Sequence, residues 1–243
     1  MRPATFVILC LGRVGSELLV SLLDSHPDIC CYGELFAPPH KPHEKWADPH
    51  LPDGVPAFAQ SSHDDLELYV SELASACDGA AFGFKLPRSS IRAHPNAVAL
   101  LDDPEVRVIR LTRENLLAQH VSAILAFLTG VWKQGGPEES YGEVAHHVDP
   151  AGCKRALVKL EVQEQEMDRL AEGHPTMRLT YEELIAGSRM DEAQRFLGVE
   201  PRRLSSDHRK LRTRSMHETI ENWDELSAEL HGTRFERFLA EAP

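Results

Sequence analysis

Gly12-Arg13-Val14-Gly15-Ser16-Glu17-Leu18-Leu19 follows directly on the apolar run Thr5–Leu11, an order of residue types that suits the binding of an anion. If the run is a buried strand and the leucines start a helix, the turn between them presents backbone N–H groups that have no intrahelical partner. A helix start also carries partial positive charge, so such a turn holds phosphate readily. Arg13 adds a permanent charge inside it, and Ser16 adds a hydroxyl. A second candidate grip is Arg113, at the end of the run Val106–Thr112, with Ser122 nine residues later. A guanidinium can hold phosphate through two parallel charge-assisted bonds. Ser122 would lie about 13 Å further along a helix at ~1.5 Å per residue, so one ligand meets both only by lying along that helix. On spacing alone, a helix-start arginine in an ion pair with Glu114 or another acid is the better reading.

Four segments have the composition of strands: Thr5–Leu11, Ala80–Leu86, Val106–Thr112 and Thr176–Tyr181,. Helical stripes lie between them. Leu18, Leu19, Leu22 and Leu23 form one, Leu116 to Leu128 a second, and Leu157, Leu160, Met167 and Leu170 a third,. Strands alternating with helices predict an α/β fold, a parallel sheet flanked by helices on both faces. Ligands in such folds bind beyond the carboxyl ends of the strands. Residues 37–62 and 130–152 break the periodicity and are expected to be substrate or lid loops on a single domain spanning 1–243.

Composition narrows the partners. The 243 residues carry 26 Lys and Arg against 38 Asp and Glu, a net charge of −12, which disfavours nucleic acid and anionic membranes. An anion site here must be local. No stretch has the ~20 apolar residues of a membrane span, and Phe6–Leu9 is expected to be a core strand rather than a signal peptide. The five cysteines contain no CxxC pair, so reduced thiols and a cytoplasmic setting are expected,. His40, His43, His50 and the pair His146-His147 lack zinc-ligand spacing, and no metal is expected. The oligomeric state stays open, a homodimer included.

Taken together, these segments resemble the sulfotransferase family that uses 3′-phosphoadenylyl sulfate (PAPS), in particular bacterial members related to the trehalose sulfotransferase. The turn matches that family's P-[RK]-[ST]-G-[ST]-T motif. Tyr32-Gly33-Glu34-Leu35-Phe36 resembles the G-E-[LF]-F segment, and Phe82-Gly83-Phe84-Lys85-Leu86 a strand of the same subgroup. Leu179-Thr180-Tyr181-Glu182-Glu183-Leu184 with Phe196-Leu197-Gly198-Val199 matches the Y-E-[DE]-L and F-L-G pairing. Ile220-Glu221-Asn222-Trp223-Asp224-Glu225-Leu226 resembles the I-x-N-[WY]-x-E-L end.

The resemblance implies a three-layer, P-loop-like fold, PAPS as donor with adenosine 3′,5′-bisphosphate as product, and a small-molecule or glycoside acceptor. It assigns Arg13, Val14, Gly15, Ser16, Glu17 and Leu18 to the 5′-phosphosulfate. It assigns Arg113 and Ser122 to the 3′-phosphate, and Arg212 and Arg214, from a late basic cluster, to the nucleotide. Glu34 becomes the candidate base, though a surface or helix-capping acid reads equally well, and Lys85 would add charge near the sulfate. Three positions depart from the motif: Gly12 stands for proline, Val14 for a small hydroxyl residue and Glu17 for threonine. A carboxylate in a phosphate cradle is unfavourable unless it faces away or meets a cation. Two rivals remain. A nucleotide-dependent kinase of related fold would bind ATP with Mg²⁺, but the loop lacks the P-loop lysine. A non-catalytic nucleotide-binding homologue is the other.

Overall fold

The computed structural model describes residues 3–36, 51, 58, 65–132, 141, 144–208 and 214–240. The chain divides into two compact units, Met1–Thr112 with Glu166–Asp207, and Arg113–Gln165 with His208–Pro243.

The first unit is a five-stranded sheet in the order β2-β3-β1-β4-β5, with every pairing parallel. Its strands are β1 (Ala4–Cys10), β2 (Ile29–Glu34), β3 (Ala81–Pro87), β4 (Arg107–Thr112) and β5 (Thr176–Thr180). Helices flank it in a three-layer α/β arrangement, so all five carboxyl ends share one edge. Phe6, Val7, Ile8, Leu9 and Cys10 are at most 1% exposed, the continuous apolar run that a strand covered on both faces requires. Each large side chain so buried contributes about 1.5–3 kcal/mol. The ring of Phe6 lies against its register partner Gly83, where a Cβ would come within 2.5 Å of it, so only glycine admits this ring between β1 and β3.

Helix α1 (Ser16–Asp24) leaves the turn after β1 and buries Leu19, Val20 and Leu23, with Leu18 and Leu22 packed partly against the same core. The unit also holds α2 (Leu66–Ser75) and α3 (Arg88–Ala93). Two further helices are α6 (Tyr181–Ile185) and α7 (Met190–Phe196). The second unit is built on α4 (Leu116–Thr129), α8 (Met216–Thr219) and α9 (Trp223–Leu230) around Leu117, Val121, Leu125, Leu157, Ile220, Leu226 and Phe235. The 21-residue α5 (Pro150–Leu170) contributes to both units.

Three expectations need correction. The strand β2 lies outside the four read from the sequence; Ile29-Cys30-Cys31-Tyr32-Gly33-Glu34 has one β-branched residue and an internal glycine, and it sits at the sheet edge. Helix α5 starts at Pro150, inside the segment expected to be loop, because proline is tolerated in a first helical turn,. Cys30 and Cys77 form a disulfide across 47 residues, while Cys10, Cys31 and Cys153 are buried thiols. Local spacing cannot reveal that pair; the β2–α2 segment brings its two ends together beside β3. Of the expected substrate loops, residues 37–50, 52–57, 59–62, 133–140 and 142–143 lie outside the described residues. Among the described residues no helix is long and apolar enough to cross a membrane.

Denatured, unreduced protein is expected to titrate three thiols rather than five. Cys30→Ser should lower the unfolding free energy, measured by urea denaturation, by about 2–4 kcal/mol. Five titratable thiols would remove the bridge.

Candidate functional site

The turn between β1 and α1 has the backbone that the sequence suggests. Gly15 is the N-cap of α1 at φ 82°, in the left-handed region, and supplies no side chain to the first-turn amides. Four other helices are capped by a side chain, Asp65, Asn115, Thr180 and Ser215 each accepting from a backbone N–H of the following turn, while the helices after Pro87, Arg189 and Asn222 are not. The ring of Tyr181 sits where a Gly15 Cβ would be, 2.7 Å from that position. The Tyr-Glu-Glu-Leu segment thus packs on the β1–α1 turn. Arg13, half-buried, also adopts a left-handed backbone, at φ 68°. Such strain in a residue with a side chain concentrates at functional sites. Val14 is fully buried and anchors the turn from below, and the buried Ser16 places its hydroxyl beside the Cys10 sulfur.

Lys85 lies at the carboxyl end of β3, flanked by β1 and β2, with its side chain 5% exposed. A cation there must be paired. Its Nζ donates to Glu17 Oε1 from the first turn of α1 and lies 3.7 Å from Glu34 Oε2 at the end of β2. Glu34 reaches this position through a bulge. Tyr32 pairs with Phe84 but Glu34 pairs with Lys85, so Gly33 is the extra residue. Without that insertion Glu34 would stand one register further on and face the opposite side of the sheet.

Glu34 is not a surface acid. Its side chain is 8% exposed, and Oε1 accepts from both Ser89 Oγ and Ser90 Oγ at 3.2 Å, hydroxyls of the first turn of α3. Burial would lower the Lys85 pKa, but Glu17 and Glu34 outweigh it and hold the ammonium above its ordinary value. Burial pushes the neighbouring Cys10 thiol up to about 12 against the pull of Lys85 and Arg110, so it stays protonated and does not compete for the cation. Behind the site, Phe36 packs its ring on Phe58 at 5.3 Å, Phe84 at 5.9 Å and Tyr69 at 6.5 Å. This cluster grips the residues just beyond Glu34 and just before Lys85.

The other assigned residues belong to the second unit. Arg113 directly follows Thr112, the last residue of β4, as the sequence places it. Ser122 is buried on α4; its Oγ lies 3.4 Å from Tyr141 Oη, which in turn donates to the Ser122 carbonyl at 3.2 Å. Arg214 immediately precedes the Ser215 cap of α8 and acts electrostatically on Glu218. Arg212 lies outside the described residues, as do His40, His43 and His50. Trp223 packs partly against the core of this unit. His120 and His146 are both held below the ordinary imidazole range. Burial is the main cause in each; the His146 charge adds to it at His120, while Glu221 and the Thr219 backbone oppose it at His146.

The sequence singled out Arg13, Gly15, Glu34 and Lys85, the last two of which the structure brings together, but not Ser89, Ser90, Tyr181 as a packing partner, or the reason for Glu17. The polar pairs are 55 to 68 residues apart and the Gly15–Tyr181 contact is more distant still, so no local pattern marks them.

No protein-family model matches the chain, and no curated protein matches it. Among solved structures it is similar to a sulfotransferase from Alicyclobacillus acidocaldarius, at 17% identity and a TM-score of 0.51, over 100% of this chain and 98% of that one. The likeness is one of fold.

Two outcomes follow from this geometry. Arg13→Gly should leave stability, read by thermal unfolding, unchanged or raised, because glycine adopts the left-handed backbone freely, whereas Gly15→Ala should cost about 1–3 kcal/mol. Stability of the second unit should also fall as pH drops below the ordinary histidine range. There the unfolded chain takes protons that His120 and His146 refuse in the folded state,. His120→Gln should flatten that limb of a stability–pH profile; an unchanged limb would contradict the assignment.

Proposed function

We propose that the chain is a sulfotransferase that moves a sulfuryl group from PAPS to a hydroxyl of a small molecule or glycoside. The observation that carries this reading is the Lys85 ammonium, buried between Glu34 and Glu17 at the carboxyl edge of the sheet, with Glu17 on the very helix that the arginine-bearing phosphate turn opens. Transfer of a sulfuryl group asks for charge stabilisation on the donor side and a base on the acceptor side. Both are represented here within one unit.

In this reading Arg13, Ser16 and the amides of the turn bind the 5′-phosphosulfate, with Val14, Gly15, Glu17 and Leu18 shaping the turn. Arg113 and Ser122 bind the 3′-phosphate, and Arg214 with Arg212 supports the nucleotide. Lys85 stabilises charge that develops on the sulfuryl and bridging oxygens. Glu34 accepts the acceptor's hydroxyl proton. The acceptor oxygen forms a bond to sulfur as the bond from sulfur to the 5′-phosphate oxygen breaks. The products are a sulfate ester and adenosine 3′,5′-bisphosphate, and the electron pair of the broken bond leaves with the phosphate. The Ser89 and Ser90 hydroxyls fix the Glu34 carboxylate in place, which is what a positioned base needs.

Calorimetry with adenosine 3′,5′-bisphosphate tests the donor. Absence of binding by folded protein would sink this reading, and tighter binding of ATP with Mg²⁺ would favour a kinase instead. Arg113→Ala should weaken the bisphosphate by about 1.5–3 kcal/mol, the scale of a lost charged hydrogen bond. Glu34→Gln should keep the affinity and lose turnover in an assay with labelled donor. Binding with no turnover on any acceptor by the native protein would leave the non-catalytic homologue.

A further inference from the structure

The carboxylate assigned as base for the acceptor's hydroxyl already holds hydroxyls of the chain itself. Ser89 and Ser90 both donate to Glu34 Oε1 at 3.2 Å, from the first turn of α3. Toward the carboxylate the two serines are equivalent, but toward a ligand they are opposites. Ser90 is fully buried, whereas Ser89 is exposed. Holding a carboxylate in place asks for no exposure. An exposed serine whose proton points at a carboxylate has the arrangement of an activated nucleophile, with its base within hydrogen-bond reach. The other oxygen of the same carboxylate, Oε2, lies 3.7 Å from Lys85 Nζ, the cation assigned to the sulfuryl group. Glu34 therefore has a hydroxyl against one oxygen and the charge meant for the donor beside the other.

We propose that Ser89 is an internal acceptor: with PAPS bound and no other hydroxyl in place, its Oγ takes the sulfuryl group and becomes a sulfate ester. This rests on the donor reading above and on Glu34 as the base. The bond from Ser89 Oγ to sulfur forms as the bond from sulfur to the 5′-phosphate oxygen breaks. The Ser89 proton moves along its present hydrogen bond to Glu34 Oε1 and from there to water. The electron pair of the broken bond leaves with adenosine 3′,5′-bisphosphate. Two consequences follow. Transfer stops at one group per chain, because the buried Ser90 is closed to the donor. The ester also fills the place beside Glu34 that a small-molecule hydroxyl needs, so an acceptor and Ser89 compete.

Mass spectrometry of the native protein after incubation with PAPS alone tests this before any acceptor is known. The expected result is a gain of one sulfuryl group per chain, mapped to Ser89 and not to Ser90 by electron-transfer fragmentation, which preserves sulfate esters. Ser89→Ala should gain none. Glu34→Gln should gain it about a hundred-fold more slowly, within the scale of a lost general base. A native chain that binds adenosine 3′,5′-bisphosphate by calorimetry yet gains no mass, or gains it at another residue, overturns the inference. Absence of bisphosphate binding defeats the donor reading instead. Phenylmethanesulfonyl fluoride then judges Ser89 by itself, because this reagent sulfonylates a serine that has a base and needs no nucleotide. Labelling of the native chain at Ser89, lost in Glu34→Gln, supports the nucleophile; an unlabelled Ser89 removes it.

Discussion

A lysine ammonium buried at the carboxyl end of an inner strand of a parallel sheet is the constraint around which the first unit is arranged. Charge in that position costs several kcal/mol to desolvate unless opposite charge and hydrogen bonds meet it. Lys85 is met from two directions, by Glu17 on the helix after β1 and by Glu34 on the neighbouring strand. Each partner imposes a condition on the chain. Glu17 can reach only if α1 starts where it does, which fixes Gly15 in the left-handed region. Glu34 can reach only if β2 gains one residue, which fixes the bulge at Gly33. The glycine turn and the irregular edge strand are thus two consequences of one buried charge.

The same unit handles a second buried cation by the same rule but to a different end. Arg110, on β4, is fully buried and donates to Asp168 Oδ1 at 2.9 Å and to the carbonyls of Leu9 and Leu111. Arg178 on β5 shares that Asp168 oxygen. Here the fan of guanidinium donors is directed at fixed acceptors of strand and helix, which suits a structural role. Lys85 instead has a compact head shared between two carboxylates, Glu17 and Glu34,.

Much of this was legible in the sequence, and what was not has a physical reason. The strands β1, β3, β4 and β5 announce themselves as apolar runs, and the tight turn after β1 announces itself through its glycines. Helix α4 follows from its leucine stripe, with Asn115 as its cap. The strand β2 does not, because an edge strand carrying two cysteines and a bulge has neither alternation nor a β-branched run. The disulfide is hidden for a related cause: Cys30 and Cys77 meet only after two elements have been laid beside β3. Glu17 is the clearest case. Read along the chain it is an error in a phosphate motif, and the residue that explains it is 68 positions away.

Charge balance at the site brings these threads together. Arg13 and Lys85 supply two positive charges, and Glu17 and Glu34 supply two negative ones, within a protein of net charge −12. Such a cradle is neutral in sum and sits in an unfavourable field for a polyanion. The backbone amides of an N-terminus without its own side-chain cap tilt the balance toward anions, but only by the fraction of a charge that a helix start carries. Glu34 adds no freedom to that balance, since both serine hydroxyls and the bulge hold its carboxylate beside Lys85.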